Sequence, residues 1–233
     1  TDIGDVFTGC VRIETINVPA ENKNFISSGG VIYNRNEQAV DIVLVYSVTT
    51  PDEEGKPLAD ENGKVVLSSN TTQIGAGAFA GRDDITSIVI PESVQSIGDN
   101  AFSGCTNLKS VTFEGASKLT SIGLNAFQYC RSLESIIIPS GVTEISNYTF
   151  DQCTSLASVT LPSGLLEIGN YAFRETELTS VSIPNTVTTF GTYVFANCPK
   201  LSEVNFNGNT EVKALGNYMF QYCTSLKTIT LPA

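Results

Sequence analysis

AFQYCRSLESIIIPSGVTEISNYTF, residues 126–150, runs from one phenylalanine to the next through a polar stretch and two clusters of aliphatic residues. The same phenylalanine returns at Phe79, Phe102, Phe127, Phe150, Phe173, Phe195 and Phe220, at separations of 23, 25, 23, 23, 22 and 25 residues, and Phe7 opens an earlier half-unit. Self-similarity at such a period marks a solenoid, in which a unit too small to bury its own apolar face is covered by its neighbours.

Counted from the phenylalanine, apolar residues recur at +6, +9 and +11, as in Leu133, Ile136 and Ile138, with Pro139 behind them. Strand alternation puts the last two on one face, and proline, which has no N–H to donate, ends the strand. A second inward pair, Val94 and Ile97 or Val142 and Ile145, precedes the next phenylalanine. It is usually followed by glycine, which reads as a corner of positive φ. The residue three before the phenylalanine is Asp99, Asn147, Asn170, Thr192 or Asn217, types that accept a backbone N–H at a helix start. A short helical turn is therefore expected around each phenylalanine.

All six cysteines (Cys10, Cys105, Cys130, Cys153, Cys198, Cys223) stand at +3, and Arg82 and Thr176 take that place in two other units. One cysteine per coil reads as a column of small buried thiols. Disulfides between adjacent coils are the weaker alternative, and a metal site weaker still because no C-x-x-C pair exists.

Between Phe7 and Phe79 the repeat is interrupted. Val31-Ile32-Tyr33 and Val40 to Val48 read as strands joined by the polar turn Asn34 to Glu37. Pro51 to Lys64 reads as an exposed acidic loop, and its Asp60-Glu61-Asn62-Gly63 lacks the spacing of a full calcium loop. The L-x-x-V-x-I spacing matches the strand unit of leucine-rich repeats. The expected fold class is a β-rich α/β solenoid, a right-handed leucine-rich-repeat coil with short helical turns and about 23 residues per coil. A β-hairpin is inserted near the N-terminus. The organisation expected is one solenoid domain over 1–233, with 1–72 an atypical N-terminal coil and 73–233 regular repeats.

The chain contains no histidine, which removes the usual general base and every Ser-His-Asp or Cys-His arrangement. A net charge of −11 speaks against nucleic-acid partners, which need a basic patch. No apolar run approaches the length that crosses a bilayer. Carboxylate pairs such as Asp83 and Asp84, or Glu175 and Glu177, lie at turns without a framing motif and read as solvated charges. The expectation is a non-catalytic chain with no cofactor and no metal.

The unit AF-x-x-C-x-x-L-x-S-V-x-I-P followed by V-x-x-I-G resembles the BspA-like leucine-rich repeat proteins, nearly continuously over 73–233 and again over 2–19. Residues 21–33 (ENKNFISSGGVIY) also resemble the glycine-bearing strand segment such proteins place between coils. This sequence departs from the pattern at Arg82, at Thr176, in the shortened coil after Phe173, and where Glu114 and Asn207 replace the strand-ending proline. The resemblance implies an exported or surface-attached protein of host-associated bacteria or parasitic protists, used in adhesion to host matrix proteins or other cells. The family motif carries a fold and supplies no active-site residues.

Two rows are candidate binding surfaces. On the principal strands the outward +8 row reads Thr15, Ser87, Ser110, Ser135, Ser158, Ser180, Glu203 and Thr228, and the +10 row Asn17, Val89, Thr112, Ile137, Thr160, Ser182, Asn205 and Thr230, with Ser180 and Ser182 placed by allowing for the shortened coil after Phe173. They form a smooth face suited to a protein ligand, against the plainer reading that Ser and Thr simply suit an exposed strand. Two before the phenylalanine stand Tyr148, Tyr171, Tyr193 and Tyr218, which either stack on one another or offer their faces to a carbohydrate. The last coil stops just after its strand, so self-association through an uncapped edge is a further expectation.

Overall fold

The computed structural model describes residues 18–19, 21–28, 31–35, 41–46 and 59–231. Phe7, Cys10, Thr15, Asn17 and most of the acidic loop lie outside the described residues.

Three N-terminal strands come first: β1 (Phe25–Ser28), β2 (Val31–Arg35) and β3 (Asp41–Tyr46), each antiparallel to the next. The expected hairpin is the β2–β3 pair. From β4 (Lys64–Val66) onward, principal and second strands alternate: β5 (Thr71–Ile74), β6 (Ser87–Ile90), β7 (Ser96–Ile97), β8 (Ser110–Phe113), β9 (Ser121–Ile122) and β10 (Ser135–Ile137). Then follow β11 (Glu144–Ile145), β12 (Ser158–Thr160), β13 (Glu167–Ile168), β14 (Ser180–Ser182), β15 (Thr189–Phe190) and β16 (Glu203–Asn205). Even-numbered strands from β4 to β12 form one parallel ribbon and β14 with β16 a second. The second strands β5, β7 and β9 pair in parallel, and β3 joins them at β5, so the hairpin continues the solenoid's own sheet.

The core is a set of columns running along the solenoid. Phe79, Phe102, Phe127, Phe150, Phe173 and Phe195 are fully buried. Their rings stack nearly parallel, with centroids 5.0, 5.0, 5.5, 5.4 and 5.5 Å apart from one coil to the next. Such offset stacks add about 0.5–1.5 kcal/mol each beyond the burial itself. The thiols form a second column. Each Sγ–H donates to the phenylalanine carbonyl of the preceding coil, as from Cys105 to Phe79 (3.0 Å), Cys130 to Phe102 (3.2 Å) and Cys153 to Phe127 (3.1 Å). The five described cysteines are free and buried, so no disulfide joins adjacent coils among them.

The expected helical turns are absent; among the described residues there is no helix, and the described coils form a β-solenoid without an α component. The physical reason lies in the backbone. Residues two before and two after the phenylalanine adopt positive φ, as at Asn125 (55°) and Tyr129 (62°), or Tyr171 (57°) and Glu175 (58°). Left-handed residues at that spacing interrupt any α-helix. In between, alternate N–H groups reach the next coil instead of their own: Asn125 to Asn147 O (3.1 Å), Phe127 to Thr149 O (2.9 Å) and Tyr129 to Asp151 O (3.0 Å). The turn is thus a ladder between coils, which answers the demand that every buried backbone group be paired.

The presumed helix caps have the same destination. Asp99 Oδ1 accepts from Leu124 N (2.8 Å), Asn147 Oδ1 from Asn170 N (2.6 Å) and Asn170 Oδ1 from Thr192 N (2.7 Å), each one coil onward. The glycine after the second strand is likewise a matter of space, since it does not have positive φ. A Cβ at Gly123 would lie 2.4 Å from Asp99 Oδ1, and one at Gly169 2.6 Å from Asn147 Oδ1. Glycine keeps the way clear for the carboxamide ladder.

Candidate functional site

The outward face of the principal strands is in register. Lys64, Ser87 and Ser110 lie side by side, Ser110 pairs with Ser135, and Ser135 with Ser158; beside them Val66, Val89 and Thr112 align, and Ile137 with Thr160. After a break, Ser180 aligns with Glu203 and Ser182 with Asn205. Ser110, Thr112, Ser135, Ser158, Thr160, Ser180 and Glu203 are exposed, Ser87 half-buried, and Ile137 is 69% exposed among the hydroxyls. The sequence reading missed that both rows reach back to Lys64, the last residue of the stretch read as an acidic loop, and to Val66 just past it. The signal was there: Lys64 precedes Ser87 by one regular period. At the foot of that stretch, Asp60 Oδ1 accepts from the N–H groups of Asn62 (2.8 Å) and Lys64 (3.0 Å), closing a tight turn that leads into β4.

Departures from the 23-residue period are where the ribbon opens. The 25-residue coil from Phe102 leaves β8 and β10 paired only at Ser110 and Ser135. Phe113 and residues 115–117, with Gly115 at φ 52°, wall a hollow of about 450 Å³ there, floored by Val111 and Ile136 and edged by Ile137 and Pro139. The 22-residue coil from Phe173 separates β12 from β14, with a second hollow along Thr160, Leu161, Ser182 and Pro184. A third opens beyond β16, after the 25-residue coil from Phe195.

On the phenylalanine corner the four tyrosines form a stack outside the core, with centroids 4.8, 4.9 and 4.8 Å apart from Tyr148 through Tyr171 and Tyr193 to Tyr218. Their ring faces are turned toward one another, and Tyr218, at one end of the stack, is 60% exposed. Each tyrosine occupies the left-handed position two before the phenylalanine, where Asn100 and Asn125 stand in earlier coils and join by a side-chain hydrogen bond (3.2 Å).

Beside the stack lies a cluster that no sequence pattern singled out. Asp151, fully buried, accepts from Arg174 Nε (2.7 Å) and Nη2 (3.1 Å) and from Gln128 Nε2 (2.8 Å). The Arg174 guanidinium lies 5.0 Å from the Tyr171 ring centre, and its hydrogen bonds to Asp151 raise its pKa further. The three residues follow their phenylalanines by one position, so only stacking brings them together. Of the four carboxylates weighed as catalytic, Asp84 is paired with Arg82 (2.9 Å) and Glu177 with Lys200 (2.5 Å). Glu175 lies 3.8 Å from Arg174.

Ladders of parallel strands, a phenylalanine column and a thiol column together define a leucine-rich-type β-solenoid whose conspicuous surface is a strand ribbon. The chain belongs to the BspA type leucine rich repeat family, whose pattern matches residues 72–202 and 120–233 with six copies. Among solved structures, the leucine rich repeat protein of T. pallidum is similar at 28% identity and TM-score 0.71, over 92% of this chain and 91% of that one. A leucine rich cell surface protein from Faecalibacterium prausnitzii is similar at 26% identity and TM-score 0.57, over 80% of this chain. This chain spans 55% of the length of that protein. The pneumococcal vaccine antigen PcpA, 19% identical, shares the fold at TM-score 0.61 over 89% of this chain and 70% of that one. No curated protein sequence matches the chain. No helix among the described residues is long and apolar enough to cross a membrane.

Proposed function

We propose that the protein is a non-catalytic, secreted or cell-surface repeat protein that mediates adhesion by binding proteins of a host or of neighbouring cells through the outward face of its principal strands. The observation that carries this reading is the ribbon itself: two rows of hydroxyl and β-branched side chains in register, with the exposed Ile137 beside a hollow. A flat strand face with a central apolar residue and a hydrogen-bonding surround has the anatomy of a protein interface. Ser110, Ser135 and Ser158 are paired with one another along the row, and the chain has no histidine to activate them as nucleophiles.

The Ser110→Lys, Ser135→Lys and Ser158→Lys triple variant is expected to lose binding to a panel of immobilised host-matrix and cell-surface proteins, with its unfolding midpoint nearly unchanged because all three side chains are exposed. Retained binding by a folded variant would reject the strand face.

The tyrosine stack supports a structural role over a carbohydrate platform, since a sugar needs a ring face and these faces cover each other. Tyr171→Ala with Tyr193→Ala is expected to lower stability by about 2–4 kcal/mol, from lost ring contacts and the Arg174 interaction. Binding on a glycan array should stay as it was. A loss of glycan binding at unchanged melting temperature would reverse the assignment.

A further inference from the structure

The coil that follows β16 is docked at one corner and open at the other. At the phenylalanine corner its ladder is complete: Tyr193 N donates to Asn217 O (2.9 Å), Phe195 N to Met219 O (2.9 Å) and Asn197 N to Gln221 O (2.7 Å). At the strand corner, successive coils are tied by Lys109 N to Thr86 O (2.8 Å), Glu134 N to Lys109 O (3.2 Å), Ala157 N to Glu134 O (2.9 Å) and Ser202 N to Thr179 O (3.0 Å). The next bond in that series, from Lys227 to Ser202, is not made. Among the described residues, 226–231 form no backbone hydrogen bond with β16. Between them is a hollow of about 760 Å³, lined on one side by β16 and on the other by Thr228, Thr230 and Leu231.

The opening is held apart by the inserted turn. Asn207 Nδ2 donates to Ser182 Oγ (2.9 Å) and Ile183 O (2.8 Å), and the buried Asn209 donates through Nδ2 to Val187 O (2.6 Å), so both residues are fastened to the preceding coil. Val204 and Phe206 keep their side chains in the core, which leaves the strand's main chain as its free side. Glu203 is the one charged residue lining the hollow; it is exposed and has no ion pair among the described residues.

We infer that this opening is a strand-addition site, which takes an extended segment of a protein partner bearing a basic side chain opposite Glu203. An unpaired strand edge is a template for main-chain pairing, and the residues 202–206 offer about 15 Å of it, room for roughly five residues of extended chain. Backbone pairing supplies affinity and the flanking side chains supply selectivity. The carboxylate of Glu203 selects a cationic occupant over a neutral or acidic one. The inference concerns a different part of the surface from Ser110, Ser135 and Ser158 and does not depend on the reading of that face.

The probe is the labelled peptide acetyl-Lys-Val-Thr-Val-Thr-amide, compared with the same peptide N-methylated at alternate backbone nitrogens. The parent peptide is expected to bind and to slow hydrogen exchange of the Val204 and Phe206 amides, which alternate away from β14 toward the opening, leaving 110–112 unaffected. N-methylation should weaken binding at least tenfold, and Glu203→Lys at least fivefold. Equal binding of both peptides, no binding, or protection falling on 110–112 would overturn the inference. So would free-state protection of Val204 and Phe206 together with 227–230, because the chain would then close the opening itself, and so would a peptide-free dimer that buries β16.

Discussion

Phe150→Ala is expected to lower the unfolding free energy by about 3–5 kcal/mol, the largest effect of any single truncation here. Phe150 is fully buried, with its ring between those of Phe127 at 5.5 Å and Phe173 at 5.4 Å. Its neighbours cannot close on the vacated space, because coil spacing is set by the backbone bonds from Phe127 N to Thr149 O and from Phe150 N to Ala172 O, both 2.9 Å. The cost therefore includes a persistent cavity as well as lost burial. Phe220→Ala should cost clearly less, since that ring is only partly buried and has a single stacked neighbour, Phe195 at 5.8 Å. Urea unfolding followed by circular dichroism measures both. In a quasi-one-dimensional stack a central defect loosens both adjoining interfaces, so broadening of the Phe150→Ala transition is also expected. A penalty below about 1 kcal/mol for Phe150→Ala would mean that the column does not hold the coils together.

A second large effect is expected from alkaline pH. Burial pushes the Cys105 thiol from its ordinary 9.0 up to about 12, and burial likewise moves Cys130 and Cys153 upward. In the unfolded chain these thiols ionise near their ordinary value, so between about pH 9 and 12 the unfolded state binds fewer protons than the folded one. Stability is therefore unaffected by these groups below about pH 8 and falls as pH rises through that window. At pH 10 the thiolate outnumbers the thiol about tenfold in the unfolded chain, which removes about 1–2 kcal/mol per buried thiol and roughly 4 kcal/mol for the three. The readout is the slope of unfolding free energy between pH 8 and 10, which cancels the general alkaline loss when compared across variants. Replacing Cys105, Cys130 and Cys153 by alanine should flatten that slope, and Cys130→Ala alone should remove about a third of the difference. Identical slopes in the wild type and the triple variant would show that these thiols ionise freely in the folded protein.

Several elements were legible before any coordinates. The period located the phenylalanine and thiol columns, and alternation at +9 and +11 placed Ile136 and Ile138 inward and Ser135 and Ile137 outward, as the strands bear out. The turn at the phenylalanine was misread. Asn147 is of a type favoured at a helix start, yet Tyr148 is left-handed and Asn147 serves the next coil. A local rule assumes that a short polar side chain answers its own backbone; here the unpaired backbone lies one coil onward, 23 residues away in sequence. Glycine at positions such as Gly123 misled in the same way, because what it avoids is the Asp99 side chain of the preceding coil.

The sequence by itself determined which side chains face inward, because burial requires periodicity and periodicity is written along the chain. Only the tertiary structure decided where the backbone hydrogen bonds go, that Gln128, Asp151 and Arg174 meet, and where the ribbon opens beside coils of 22 and 25 residues. Those features depend on the registry between one coil and the next. Registry is a property of two stacked segments, and a coil longer or shorter than its neighbour disturbs the pairing beside it while leaving each unit's own pattern intact.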